Sequence, residues 1–481
     1  MWNGASEGGE ETISSFENQT YSGWILLVGA GVLIRLAFLL VSGRIQPFAD
    51  ESNYLYLSLL WDRFDLYSDG VQFLWPPGYP FLISRCLELF GSSGVMAVKL
   101  VQVLSSTVIG GSVLWLARFV FGRSAAPIAG ILWCLYLPLI AFTHLLWPET
   151  LFLALFLPGL CLLLAWGERC EADREIPQMM VAAALLLSLA TLVKEVAMGL
   201  LPLALILIAA RSRDSRLAVR LGLMALFVLS CSVVLMPWTL RNYEVYGRFV
   251  PAGATLGKNM FMGLNDDYRN LDYPRRMQSE IRRANSDVLR VLVGNSPDGW
   301  RSSSAVNVID RSNENVSRGL DFVRDHTGYV LRSRLKLLAD WVSPTSFFLR
   351  HYGLGRYSGF LDRPAVRRVL IGSALLLPMV VLLGSIPGLL SCIERPWIRW
   401  SLIAVTGYFL LAGSLLNAST RYRISIEPLL IVCAAGFLAR IGQGSNWRSA
   451  LGSVSMCGGI ILVGLWALNG LEVATFVGKI W

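Results

Sequence analysis

Apolar runs about twenty residues long recur along most of the 481-residue chain, separated by short polar turns. A run of that length, wound as a helix, crosses about 30 Å of hydrocarbon. Such runs near 22–42, 94–119, 126–146, 149–167, 178–193, 196–210 and 217–237 predict seven spans. Four more fall near 366–390, 397–416, 424–440 and 449–469, which makes about eleven. A membrane barrel would instead show short segments of alternating polarity, and none is visible. The pattern therefore predicts an all-α polytopic membrane protein. It divides into a tail (1–21), a transmembrane module (22–237) with a first outer loop at 43–93, a polar segment (238–365) and a second transmembrane module (366–481).

Composition agrees with this reading. Hydrophobic residues make up 54% of the chain and charged residues only 16%, well below the quarter or so usual in soluble proteins. The first twenty residues are polar and acidic and lack the basic n-region of a signal peptide, so the first apolar run is expected to stay as an anchor. Short loops rich in Arg mark the cytoplasmic side. GRSAAP, RSRDSR, IERPWIR and ARIGQGSNWR carry the arginines and, with alternating spans, all fall on one side. The acidic tail shares that side, and acids count little in this rule. The opposite, extracytoplasmic face then receives most of the unusual polar chemistry.

The segment 238–365 carries nineteen Lys and Arg against thirteen acids, most of the net charge of +9. Its second half, SRGLDFVRDHTGYVLRSRLKLLADWVSP, sets apolar residues at helical spacing between arginines, as expected of amphipathic helices on or beside the bilayer. A mixed, mostly helical domain is expected here. The basic surface suits anionic lipid or an anionic substrate, although solvated arginines explain it equally well. The eight cysteines lie mostly inside apolar runs without CxxC spacing and read as small core residues. Three histidines far apart in sequence argue against a His-rich metal centre.

Polar residues at span boundaries are the candidates for chemistry. Asp50 and Glu51, in FADESNYLYLSLL, follow the first span. An aspartate capping a helix that begins at Glu51 explains the pair without any function. The same loop ends in WPPGYP, whose three prolines predict a rigid turn able to hold a carboxylate at a fixed depth. Glu149 opens a span in WPETLF, where the helix macrodipole alone favours an acid. Lys194 and Glu195 interrupt ALLLSLATLVKEVAMGLLPL, and burying both mid-membrane is costly. Two short spans with the pair at an outer tip are the better reading, and an exposed ion pair is the plain alternative. Arg421 and Arg423 flank Tyr422 in TRYRIS, where interfacial snorkelling competes with phosphate binding. Arg35, in the middle of the first span, needs a partner within the bundle.

Taken in order, these motifs resemble the polyprenyl-phosphate-dependent glycosyltransferases of the GT-C fold. Family 39, with its protein O-mannosyltransferases and aminoarabinose lipid A transferases, is the nearest group. The resemblance rests on Asp50-Glu51 followed by WPPGYP, on WPETLFLALFLPG, on MPWTLRNYEVYGRFVP with GKNMFMGLNDDYR, and on NASTRYRISIEPLL, between about residues 22 and 440. It implies a multi-pass protein, bacterial inner membrane by expectation, with its active site on the extracytoplasmic side. The partners it implies are the bilayer, a polyprenyl-phosphate-linked sugar donor and an extracytoplasmic acceptor (lipid, glycan or protein), with no nucleic acid.

The resemblance implies Asp50 as catalytic base, Glu51 as its helper and Glu149 beside the sugar or acceptor. Lys194, Arg241, Tyr79, Arg421, Tyr422 and Arg423 are the implied substrate-binding residues. The chemistry asks for these types independently. The acceptor must lose a proton to a carboxylate within reach, and charge growing on the leaving phosphate needs fixed cations. Neighbours on a helix diverge by about 100°, which favours one base and one helper. Asp50, Glu51 and Glu149 could hold a divalent ion through oxygen, but a second acidic pair, Asp266-Asp267, is tied to none of them. No cofactor is expected. The rival readings are a transporter or flippase of lipid-linked sugars, a scaffold without chemistry, and a ligase or polymerase using a diphosphate donor. The absence of an internal repeat and the one-sided charges weigh against the transporter.

Overall fold

A computed structural model describes residues 7–42, 50–61, 74–171, 177–264, 308–353, 355–416, 420–444, 452 and 455–466. Every element among the described residues is helical. Among the described residues, five apolar helical stretches are long enough to cross a membrane: Ser22–Val41, Gly78–Phe121, Glu149–Cys170, Leu217–Tyr246 and Pro364–Ser391. Ala125–Leu135, Pro177–Val193 and Ser455–Trp466 are shorter apolar helices. Asp266 and Asp267 lie outside the described residues.

The elements depart from the sequence pattern in several places. The run at 126–146 breaks at Tyr136 into Ala125–Leu135 and Leu137–Phe142. Pro138 causes the break, because proline has no N–H for an interior turn and is tolerated only in a helix's first turn. The first outer loop is also more helical than expected. It holds Asp50–Leu59, and the proline turn passes directly into the helix Gly78–Phe90, with Pro80 in the first turn. Finally, the helix expected to stop at 237 continues through Pro237 to Tyr246 and ends on the left-handed Gly247, φ +64°.

Close helix contacts are made where side chains are small. Gly384 and Gly388 face Ala434 and Cys433, and a Cβ on Gly388 would lie 2.0 Å from the Cys433 carbonyl oxygen. The helices Pro364–Ser391 and Glu427–Gly442 therefore touch backbone to backbone. Trp133, fully buried, is held between Gly31 and Gly110. Arg35 finds its partners in the same place: its guanidinium donates to the carbonyls of Gly31 (3.0 Å) and Trp133 (3.4 Å) and lies 4.2 Å from the Trp133 ring centroid. All eight cysteines are free thiols, and seven are buried.

The short basic loops meet at one end of the bundle. There Arg395 pairs with Glu168 at 2.8 Å, Arg440 pairs with Glu394, and Arg211 donates to the Gly167 carbonyl at 3.1 Å. At the other end lie the amphipathic helices Val308–Asp325 and Thr327–Trp341. Met260, Leu264 and Phe322 form a small core beneath the first of them. The Trp466 indole donates to the Val342 carbonyl at 2.6 Å, tying the last described helix to this outer layer.

Candidate active site

Two carboxylates at helix starts are brought together by one arginine. Asp50 begins Asp50–Leu59, and Glu149, fully buried, begins Glu149–Glu171. The positive end of each helix macrodipole favours an acid at such a position. The short helical turn Thr420–Arg423 places Arg421 between them. Its Nε donates to Glu149 Oε1 at 2.7 Å, and one terminal nitrogen bonds Asp50 Oδ2. The guanidinium also stacks 3.7 Å from the Trp147 ring centroid. Lys194 approaches from the tip between Pro177–Val193 and the 3₁₀ turn Glu195–Gly199, reaching Glu149 Oε1 at 3.3 Å and Ser425 Oγ at 3.4 Å. Its ammonium lies 5.6 Å from the Tyr422 ring.

These groups border a cavity of about 370 Å³. Asp50, Lys194, Glu195, Arg421 and Tyr422 line it, and Glu149 lies behind the wall as the shared anchor of both cations. Burial works against the charge on Arg421, but Glu149 and Asp50 outweigh it and raise the pKa well above the usual value. Lys194 goes the other way. Burial lowers its pKa, and Glu149 only partly restores it against neighbouring Arg421. Burial pushes the Glu195 carboxyl upward, while two hydrogen bonds from Thr255 oppose the rise.

Glu51 points away from the cavity. One oxygen accepts the Leu146 N–H at 2.8 Å and the other pairs with Arg356 at 3.4 Å. It fixes the start of the Asp50 helix and leaves Asp50 as the one member of the pair at the cavity. Three residues expected at the substrate lie elsewhere. Tyr79 is fully buried and donates to Gln102 at 2.9 Å, and Gln102 donates in turn to the carbonyls of Thr143 and Leu145. Arg241 is buried against Trp238, Tyr246 and Asn242. Arg423, fully buried, pairs with Glu427 at 2.9 Å and donates to the carbonyls of Trp341 and Ser343. It anchors the outer layer to the bundle. Polar residues buried at a span boundary look alike in sequence whether they face a cavity or pack inward.

Several site residues carry no distinguishing mark in the sequence. Trp147 and Ser425 lie inside motifs already singled out, but their contacts depend on the bend of each turn. Tyr408, which also lines the cavity, belongs to a plain apolar span, and nothing local marks it. No group of three or more His, Cys, Asp and Glu is close enough to hold a metal among the described residues. Between Asp50 and Glu149 stands the Arg421 guanidinium.

A helical membrane protein with a charged cavity at one end of its bundle is the class this geometry defines. Residues 75–238 match the family model of dolichyl-phosphate-mannose-protein mannosyltransferases. The match includes Tyr79, Glu149 and Lys194 and stops short of Asp50 and Arg421 on either side. No curated protein matches the chain. Among solved structures, it is similar to the archaeal oligosaccharyltransferase AglB from Archaeoglobus fulgidus, in complex with an inhibitory peptide and a dolichol-phosphate. Identity is 13%, coverage 97% of this chain and 56% of that one, and the TM-score 0.49. The chain thus spans about half the length of that protein. It is also similar to ArnT from Cupriavidus metallidurans in the apo state, at 19% identity over 87% of this chain and 78% of that one, with a TM-score of 0.38. The undecaprenyl phosphate-bound form of ArnT gives 20%, 87%, 77% and 0.36.

Proposed function

We propose that this protein is an integral-membrane glycosyltransferase that moves a sugar from a polyprenyl-phosphate carrier to an acceptor on the extracytoplasmic face. The family match over residues 75–238 and the order of the sequence motifs support the donor class. The observation that carries the reading is the convergence of Asp50, Arg421 and Lys194 on one cavity from positions far apart in sequence.

Asp50 serves as general base and takes the proton of the acceptor hydroxyl or amine. The acceptor atom bonds the anomeric carbon as the bond from that carbon to the phosphate oxygen breaks. The carrier's phosphodiester, with one negative charge, leaves as a monoester with a second. Cations that meet this growing charge bind the transition state more strongly than the ground state. Arg421 and Lys194 fill that role, and Glu149 holds both in place. In the resting protein Asp50 is bound to Arg421. A donor phosphate competes for the guanidinium and frees the carboxylate to act as base. This scheme needs no metal ion, because the guanidinium supplies the positive charge between the acids. Tyr422 faces the bound donor, and the site lies on the outer face of a bacterial inner membrane.

Asp50→Asn tests the reading. The purified variant should stay folded and still bind carrier lipid, while transfer falls by at least about 10²-fold. Comparing glycolipids and glycoproteins of wild-type and deletion cells by mass spectrometry then identifies the acceptor. Undiminished transfer by Asp50→Asn removes that residue from the mechanism. A protein that moves lipid-linked sugar across vesicles without forming a glycosidic bond is a transporter instead.

A further inference from the structure

One wall of the cavity comes from the start of the outer segment, and that strap is held unusually firmly. The Trp238 indole donates to the Ala252 carbonyl at 2.6 Å, and the Asn242 amide to the Val250 carbonyl at 2.8 Å. The Ala254 N–H reaches across to the Leu74 carbonyl at 2.8 Å. At Gly253 the strap presses so closely on the proline turn that a Cβ would lie 2.8 Å from the Leu74 oxygen and 3.0 Å from Pro76 Cδ. Thr255 then gives both its N–H (2.9 Å) and its hydroxyl (2.6 Å) to Glu195 Oε2. The following helix, Leu256–Gly263, packs so tightly on Val308–Asp325 that a Cβ at Gly257 would meet the Ser312 carbonyl at 2.1 Å. Asn259 on this helix lines the cavity beside Thr255 and Glu195.

The placement decides what this wall meets. In the reaction above, the anomeric carbon sits between the base Asp50 and a phosphate held by Arg421 and Lys194, so the rest of the sugar ring projects away from those three. Much of the remaining lining is apolar: Val193, Val196, Met198, Phe409 and Ala412. Tyr54, Tyr408, Tyr422 and Ser425 add hydroxyls to the lining, and the polar groups on and against the strap are Glu195, Thr255 and Asn259. Glu195 Oε1 makes no hydrogen bond among the described residues, although Oε2 takes two. A carboxylate oxygen accepts from hydroxyls, and an asparagine amide both donates and accepts. Sites built to hydrogen-bond substrate hydroxyls reject analogues that lack them far more strongly than apolar pockets do.

We infer that Glu195, Thr255 and Asn259 form the subsite that reads the hydroxyls of the transferred sugar, so that the strap at 250–259 sets donor specificity. This rests on the glycosyltransferase reading above. It assigns the start of the outer segment to the donor and not to the acceptor.

The test compares two kinds of probe on the purified full-length protein: bare undecaprenyl phosphate, and undecaprenyl phosphates bearing a hexose or a pentose. The wild type should bind at least one sugar-bearing carrier more tightly than the bare one. Glu195→Gln and Asn259→Leu should each weaken the preferred sugar-bearing carrier about tenfold while shifting the bare carrier by less than about twofold. Retained binding of the bare carrier also reports that the variants are folded. Equal loss toward both probes, no loss toward either, or a wild type that gains nothing from the sugar overturns the subsite. A wild type that binds no carrier at all defeats the glycosyltransferase reading first.

Discussion

Arg421 touches Asp50, Glu149 and the face of the Trp147 indole at once. Removing it leaves fully buried Glu149 facing Lys194 alone, with Oε2 already lacking a hydrogen bond among the described residues. Breaking one side of such a buried pair costs about 3–5 kcal/mol. Arg421→Ala should therefore lower the thermal unfolding midpoint in detergent as well as abolish transfer. Arg421→Lys keeps the charge but offers no planar fork to bridge two acids, so kcat/KM should fall about 10²-fold or more with stability largely kept. Arg423, two residues on, behaves differently. Because it pairs with Glu427 and the Trp341 and Ser343 carbonyls, Arg423→Ala should destabilise by about 3–5 kcal/mol while donor affinity per folded molecule stays unchanged. Lys194 adds a pH signature. Its lowered pKa means that rising pH removes the ammonium earlier than for an ordinary lysine, despite Glu149 beside it. The alkaline limb of kcat/KM should therefore fall early, and Lys194→Arg should shift that limb to higher pH. At this scale the sequence marks which residues are unusual. Whether Arg421 or Arg423 faces the cavity depends on the rotation of a single helical turn, Thr420–Arg423, which no periodicity reveals.

The helices themselves were largely readable, because twenty apolar residues have few alternatives in a bilayer. What was lost is punctuation within them. Pro138 signals the break at Tyr136, yet the apolar run continues across it. Pro237 signals a stop that does not occur, and the helix runs on to Tyr246. The helix Gly78–Phe90 begins inside a turn rich in prolines, since proline is accepted in a first turn. Helix contacts also escape sequence reading, because a glycine in an apolar run does not name its neighbour. Gly388 is the clearest case, with 2.0 Å between a notional Cβ and the Cys433 carbonyl. Gly388→Ala should push Pro364–Ser391 from Glu427–Gly442 and cost about 1–3 kcal/mol. Gly372→Ala in the same helix, with nothing within 4 Å of its Cβ, should leave the unfolding midpoint in place.

Across the whole molecule, charge is sorted by end. The ion pairs of Arg395 and Arg440 close the end bearing the short basic loops, and the cavity with its outer layer occupies the other. That sorting was visible in the Lys and Arg counts, and it predicts sidedness. In a Cys457→Ser background, Arg213→Cys should react with an impermeant maleimide only from the cytoplasmic side and Glu314→Cys only from outside. Labelling of both from one side contradicts the assigned orientation. Metal removal tests the site as a unit: transfer should persist in excess EDTA if Arg421 provides the charge between the acids.

Asp50 and Arg421 are 371 positions apart in sequence. Glu149 is synthesised long before the arginine that neutralises it. During biogenesis the nascent chain therefore inserts many helices while its acids still lack their main counter-ion. A chain truncated before residue 420 lacks Arg421, so Asp50 and Glu149 lose the counter-ion they share and Glu149 keeps Lys194 alone.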